Sequence, residues 1–521
     1  MPIRVVKDDD SPEESNIPRG GGRSGGSGGG GLGAFLPLIL GLFSKRPKLM
    51  IIVIIVLVVV YLMKGGCDTG SLLQAAQSSL SKGATLDPAK FDETEVFESL
   101  DDEINLLPER VSLEQYCPPR LNQGQQGSCV AWSHAYAARS ILYAMQTGGK
   151  PEDCTFSPSF LYNQISLQGC QGAYIPKAME KMEEQGLVPF RDFPYDDQDC
   201  SNKPGDDLKQ KAASFRIKGF QRLTNGDKKG FEGETINLRA IRQNLAQNAP
   251  VTIGMMVGGT FMTDMMGKDV WIPSQQDYEM EQFGGHAMCV IGYDDYKQGG
   301  AFQIMNSWGP EWGNNGIAWV RYKDFEFFTR EAYGLYPMGK SGDKKFASSH
   351  LQASFGLTDN ADGSDLTLKK VSDISFRLQQ NLKKGQSKFK IKVKNDAECY
   401  TYLYGLEKGQ KVTGLFPYTL KHSPYCGIMG TRLFPKDYSL QPDEEGSLDY
   451  FVILVSKKPL DYVAYKTKLS AASGSLEQKV KSVFGSALPA LDFSVAELVS
   501  FNLDNANEDT IVAMIIEVPK N

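Results

Sequence analysis

One loop constrains this chain more than any other segment. Asn122-Gln123-Gly124-Gln125-Gln126-Gly127-Ser128-Cys129-Val130-Ala131-Trp132 sets a cysteine at the mouth of an apolar stretch. From Val130 to Gln146 there is no Pro or Gly, and Ala, Leu, Tyr and Met dominate, which predicts a buried helix. Unpaired N–H groups and the positive dipole end at its start favour an anion. The Cys129 thiol is therefore expected to ionise more easily than a free thiol of pKa ~8.5. Gln123 lies six residues earlier, in a glycine-punctuated loop able to fold its side-chain amide back beside the Cys129 N–H. Together they would form an oxyanion hole.

A reactive cysteine needs a base, and the chain has four histidines, His134, His286, His350 and His422. His134 is five residues along the same helix, about 140° around its axis, so it points elsewhere. His350 falls between domains and His422 in the last domain. His286 remains, in Phe283-Gly284-Gly285-His286-Ala287-Met288-Cys289-Val290-Ile291-Gly292-Tyr293, where two glycines open a run that reads as a buried strand. After the turn residues 294–300, Ala301-Phe302-Gln303-Ile304-Met305-Asn306-Ser307-Trp308-Gly309 reads as a second apolar strand. An antiparallel hairpin would bring its end beside the beginning of the first and make His286 and Asn306 neighbours. Asn306 would then fix the imidazole tautomer and support a thiolate/imidazolium pair, with Trp308 shielding the bond from water.

These residues resemble a papain-like cysteine peptidase. The family's oxyanion glutamine, nucleophile, base and orienting asparagine match Gln123, Cys129, His286 and Asn306 in chain order. Asn306-Ser307-Trp308-Gly309 followed by Trp312-Gly313-Asn314-Asn315-Gly316 is similar to its signature after the third catalytic residue. Ser157-Pro158-Ser159 and Phe193-Pro194-Tyr195 fall where similar segments lie between the halves of that fold. The chain departs from the family at Val130, where a tryptophan usually follows the nucleophile, and at Gln126, where a half-cystine is usual. No long helical propeptide is visible. The resemblance implies a two-lobed domain, a helical lobe plus a β-barrel-like lobe, hydrolysing peptide bonds without cofactor or metal.

Towards the N-terminus, Leu49 to Met63 is an apolar run of fifteen residues between Lys48 and Lys64. As a helix it spans ~22 Å, and flanking lysines can snorkel to extend it towards a ~30 Å hydrocarbon core. Arg19, Arg23, Lys45, Arg46 and Lys48 precede it and an acidic stretch follows, so the positive-inside rule puts the N-terminus in the cytoplasm and the catalytic part outside. Arg19 to Gly33 is nearly all glycine and serine, a composition that cannot order itself. The expected organisation is a disordered tail over 1–48, a transmembrane anchor over 49–64 and a polar to acidic linker over 65–104. The peptidase domain follows over 105–338, then a linker over 339–352 and a β-rich accessory domain over 353–521. The 65–104 segment reads as a tether, with lying over the cleft before activation as its alternative.

The 521 residues, 41% hydrophobic and 23% charged, support two folded domains beyond tail and anchor. A net charge of −6 with no basic cluster outside the membrane flank excludes nucleic acid as the expected partner. Of the nine cysteines, Cys170 with Cys200 and Cys399 with Cys426 are candidate bridges for an oxidising compartment. Strand candidates at Phe389 to Val393, Cys399 to Leu406, Lys411 to Tyr418, Tyr450 to Ser456 and Thr510 to Val518, with a helix near Leu476 to Phe484, predict a mainly antiparallel domain. Leu415-Phe416-Pro417-Tyr418, His422-Ser423-Pro424-Tyr425 and Leu433-Phe434-Pro435 resemble segments of a bacterial domain of unassigned role often joined to peptidases. They are candidates for a protein-recognition surface, packing of loops on the sheet being the alternative. The overall expectation is an α+β, membrane-anchored peptidase acting on peptide or protein substrates. The rival reading is a catalytically silent, membrane-tethered scaffold on the same fold.

Overall fold

The computed structural model of the protein describes residues 3–8, 83–225, 235–337, 349–406 and 412–521. The expected anchor at 49–64, the Gly/Ser tract, most of the 1–48 segment and the 65–82 part of the expected linker lie outside the described residues. Among the described residues no helix is long and apolar enough to cross a membrane.

The helix behind the cysteine forms where its sequence demands it. It runs over residues 129–147 as a helical turn at Cys129–Ala131, a π-helical stretch at Trp132–Arg139 and an α-helix at Ser140–Thr147. Gly148, at φ 66°, ends it in the left-handed conformation that glycine adopts without strain. Val130, Ala131, Ala135, Ala138 and Ile141 are all buried, so the helix is covered on nearly every side, as its composition predicts. Ser157 caps the next helix, Pro158–Ile165, by accepting the Phe160 N–H at 2.9 Å. Ile175–Glu184 completes the helical lobe.

The second lobe is a sheet built around Gly284–Asp294. That strand pairs antiparallel with Val251–Val257 on one side and with Ala301–Met305 on the other. The expected hairpin is present, with Cys289 opposite Met305. Thr329–Pro337 and Ile217–Arg222 extend the sheet beyond Val251–Val257, and Ile317–Arg321 extends it beyond Ala301–Met305.

The C-terminal region, read as mainly antiparallel β, is two packed sheets. One contains Leu351–Asp359, Phe389–Asn395 and Val499–Leu503; the other contains Cys399–Leu406, Leu448–Ser456 and Ile511–Pro519. Phe355, Ile391, Val393, Phe451, Ile453, Val512 and Met514 fill the space between them. The outer face of the second sheet carries Tyr402, Tyr404, Leu454 and Ile515, and two helices cover it, Tyr462–Ala471 and the expected Leu476–Phe484. Phe416 and Phe434, taken from sequence as exposed-looking aromatics, are buried and pack together at 4.5 Å, so loop packing accounts for them.

Two sequence expectations are corrected. Ile3–Lys7 is not tail: it is an edge strand paired antiparallel with Tyr438–Pro442 of the C-terminal domain. This pairing places residues 3–7 and the C-terminal domain on the same side of any membrane, which a single crossing at 49–64 cannot satisfy. The 83–104 part of the expected linker is not a loose tether either. Ala84–Thr85 pairs parallel with Ala173–Tyr174, Pro88–Glu93 is a helix capped by Asp87, and Phe91, Val96, Phe97 and Leu100 are buried.

Cys170 and Cys200 form a disulfide. Cys399 and Cys426 stand opposite one another in register but are free thiols in this structure, the Cys426 thiol donating to Thr401 Oγ1 at 3.6 Å. Closing a loop of 30 residues restricts the unfolded chain by an amount worth about 3–4 kcal/mol. Cys200→Ser is expected to lower the melting temperature by several degrees, whereas Cys426→Ser leaves the response to reductant unchanged; calorimetry with and without reductant checks both.

Candidate active site

His286 leads the central strand and Asn306 follows the neighbouring one, so the hairpin sets them side by side. Asn306 Oδ1 accepts from His286 Nε2 at 2.7 Å. The asparagine is itself oriented: the Ser307 N–H donates to the same Oδ1 at 2.8 Å. The imidazole stacks on Trp308 with centroids 4.4 Å apart and planes 26° apart, which keeps water from the bond as expected. With Nε2 engaged, Nδ1 is the free ring nitrogen; it is buried and has no hydrogen-bond partner.

The Cys129 sulfur reaches this strand from the helical lobe. Its Sγ accepts the N–H of Ala287, the residue after His286, at 3.4 Å. The structure thus brings together the cysteine, histidine and asparagine singled out in the sequence. Gln123 joins them through Ser307. Its backbone N–H donates to Ser307 O at 2.8 Å, and Ser307 Oγ donates to Gln123 Oε1 at 2.6 Å. That bond fixes which end of the amide is oxygen. Nε2 then gives one hydrogen to Gln126 O at 2.9 Å, and a primary amide has a second to offer.

Two supports were missed in the sequence. Ser307 sits inside the Asn306-Ser307-Trp308 motif, which was its available signal. Tyr195 lies in the Phe193-Pro194-Tyr195 segment, which gave no sign of this role: its hydroxyl donates to Gln123 O at 2.8 Å and lies 2.6 Å from Ser128 Oγ, bracing the loop at Gln126 where the family usually has a half-cystine. The discarded histidines are elsewhere. His134 is buried and lies 2.7 Å from Val130 O within its own helix, His350 pairs with Asp504, and His422 contacts Thr419. Among the described residues no cluster of His, Cys, Asp and Glu is placed to hold a metal ion.

The cleft is filled by the chain itself. Cys129 and His286 have no exposed surface, because residues 83–86 run across them. The approach is as close as backbone permits. A Cβ on Gly83 would stand 2.5 Å from Cys129 Sγ, and one on Gly285 would stand 2.2 Å from Ala84 O. Only glycine fits at either place. The Gly83 N–H donates to the sulfur, while Gly83 O is turned away to accept the Ala173 N–H at 2.9 Å. The segment therefore offers the thiol a hydrogen-bond donor. Leu86 continues past Gly254 and Ile175, where a Cβ on Gly254 would lie 3.8 Å from its Cδ2.

Burial sets the protonation of this closed site. It pushes the Cys129 thiol up to about 12, against N–H bonds from Ala287, Val130, Cys129 itself and Gly83. It pushes the His286 imidazole down to about 4, against the bond to Asn306. The expected thiolate/imidazolium pair is thus not what the covered cleft favours: both groups are neutral. The expectation counted the helix dipole and omitted desolvation, which is the larger effect here.

Comparison with known proteins gives the same domain. Residues 107–335 match the family model described as papain family cysteine protease. An uncharacterized peptidase C1-like protein of Acanthamoeba polyphaga mimivirus is 28% identical over 213 residues, 39% of this chain and 64% of the viral protein. Mouse (Mus musculus) cathepsin K is 28% identical over 206 residues, 39% of this chain and 56% of its own. The chain therefore spans less than two thirds of these relatives. Among solved structures, xylellain, a cysteine protease from Xylella fastidiosa, is 21% identical with a TM-score of 0.41, covering 50% of this chain and 97% of its own. Residues 107–335 of this chain are thus similar to the papain family of cysteine proteases.

Proposed function

We propose that this protein is a cysteine peptidase acting on peptide or protein substrates, attached to a membrane through residues 49–64 and held latent by residues 83–86. One observation carries the catalytic part. Asn306 locks His286 Nε2 at 2.7 Å, leaving Nδ1 as the nitrogen free to face a sulfur that touches the adjacent Ala287 amide. In the uncovered cleft, His286 Nδ1 takes the thiol proton and Cys129 Sγ attacks the substrate carbonyl carbon. The Cys129 N–H and the second Gln123 side-chain hydrogen hold the oxyanion. Nδ1 returns the proton to the departing amine, and water, deprotonated by the same nitrogen, releases the acyl group and restores the thiol. Asn306 keeps the ring oriented throughout.

With the cleft open, His286→Ala is expected to reduce kcat by on the order of 10²–10⁴-fold. Gln123→Ala should reduce it by on the order of 10²–10³-fold, since it removes one oxyanion donor. Cys129→Ala should abolish both peptide cleavage and labelling by a thiol-directed epoxide. A chain that cleaves equally well without Cys129 is not this enzyme.

The two displaced protonation equilibria give a pH test. Between about 4 and about 12 the covered site holds a neutral thiol beside a neutral imidazole. Alkylation requires thiolate, so in the intact chain its rate should climb with pH through the neutral range without levelling. Gly83→Val cannot seat against the sulfur. Water then re-enters, the thiol falls, the imidazole rises, and the rate should reach a plateau near neutral pH. Identical profiles for the two proteins would remove the covering strand from the account.

Attachment to the membrane rests on the apolar run Leu49 to Met63 and its flanking lysines, seated without a net crossing so that residues 3–7 stay on the side of the C-terminal domain. Full-length protein should remain with membranes after alkaline carbonate washing, and a chain lacking residues 34–64 should be released.

A further inference from the structure

Residues 94–105, the continuation of the covering strand, lie between the two domains, and their backbone bonds alternate between them. Glu95 O accepts from Arg222 N at 2.9 Å and the Phe97 N–H donates to Arg222 O at 2.9 Å, both on the peptidase side. Between these, the Val96 N–H donates to Lys421 O at 2.6 Å and Val96 O accepts from Ser423 N at 2.9 Å, both on the C-terminal domain. Val96 is thus a rung shared by both domains, as the two-sided geometry of an extended strand allows.

The C-terminal domain adds side-chain bonds. Ser423 Oγ donates to Glu95 at 2.6 Å, and buried Arg432 donates through Nε to Glu98 O at 3.0 Å while Asn395 Oδ1 holds its Nη1 at 2.8 Å. Farther on, the Asp101 N–H donates to Thr431 O at 2.9 Å, and Asn105 exchanges bonds with the Thr431 backbone in both directions. Packing adds to them, since Val96, Phe97 and Leu100 are buried and Arg432 lies over the Phe97 ring. A cavity of about 340 Å³ opens at this seam beside Val96, Phe97, Glu98, Tyr418 and Leu440.

We infer that this edge of the C-terminal domain, residues 421–432, is a docking surface for an extended peptide whose occupant is this chain's own residues 95–105. By gripping them it keeps residues 83–86 in the cleft. The inference rests on the peptidase reading and adds the means by which latency is maintained. On the peptidase side the covering segment is held by the two-residue ladder of Ala84–Thr85 on Ala173–Tyr174 and by buried Phe91, whose O accepts from Arg222 Nη1 at 2.9 Å. The C-terminal domain adds the anchorage twelve residues downstream of Ala84, at Val96. Release of residues 95–105 from the C-terminal domain opens the active site.

The alternation of bonds makes the test specific. Val96→Pro deletes the N–H given to the C-terminal domain and leaves both Arg222 bonds in place; Ser423→Ala removes the side-chain grip on Glu95 together with the bond that Ser423 Oγ accepts from the Tyr425 N–H at 3.3 Å. In the full-length chain, epoxide labelling of Cys129 is followed by mass spectrometry, with Gly83→Val as the directly opened control and thermal melts to certify folding. Labelling tracks the open population, so Val96→Pro should accelerate it by about tenfold or more, with Ser423→Ala intermediate. Hydrogen exchange at residues 83–86 should rise in parallel. Fast labelling of Gly83→Val with Ser423→Ala and folded Val96→Pro at the wild-type rate overturns the docking role and leaves the peptidase reading standing. Absence of labelling in Gly83→Val as well overturns the peptidase reading and this inference with it. Should Val96→Pro fail to fold, Ser423→Ala decides alone: labelling at the wild-type rate overturns the docking role.

Discussion

A backbone N–H directed at a sulfur, at a point where no side chain fits, governs this structure. Gly83 against Cys129 excludes water from the cleft, and the exclusion decides the charge state of everything inside it. The rise of the thiol from an ordinary 9.0 to about 12 corresponds to roughly 4 kcal/mol. A helix N-terminus contributes at most about 2 kcal/mol in favour of an anion. Covering the cleft thus overrides the local electrostatics that would otherwise activate the cysteine. At this place the carbonyl of the covering strand is turned to Ala173 and away from the sulfur.

The groups that would perform catalysis are held independently of the covering strand. Ser307 joins Gln123 to Asn306, Asn306 holds His286, and Trp308 roofs the imidazole. None of these bonds involves residues 83–104. Uncovering the site therefore leaves these bonds in place; its cost is apolar, because Ala84 and Phe91 of the covering segment belong to the one core that both lobes share.

Much of this was legible in the sequence, for a reason of scale. The helix at 129–147, the hairpin that joins His286 to Asn306 and the helix Leu476–Phe484 are encoded by neighbouring residues whose apolar spacing, glycines and caps act locally. The Tyr462–Ala471 helix was missed because Leu469 is its buried residue, too little to write a periodic stripe. The covering strand was read as a polar tether because its partners, Ala173, Arg222, Ser423 and Thr431, come from regions about 90 to 330 residues away. Nothing in residues 83–104 alone announces them. The direction of the thiol shift failed on the same ground, since burial by a distant segment leaves no local trace. Cys170 with Cys200 was anticipated, whereas Cys399 and Cys426 share a rung without bonding.

The pairing of Ile3–Lys7 with Tyr438–Pro442 has a topological consequence. The chain is fastened to its folded body at residues 3–7 and again from residue 83 onward, so everything between is a closed covalent loop. A single scission in that loop would sever the polypeptide without detaching either fragment. The nicked protein would stay in one piece and show two fragments only after denaturation.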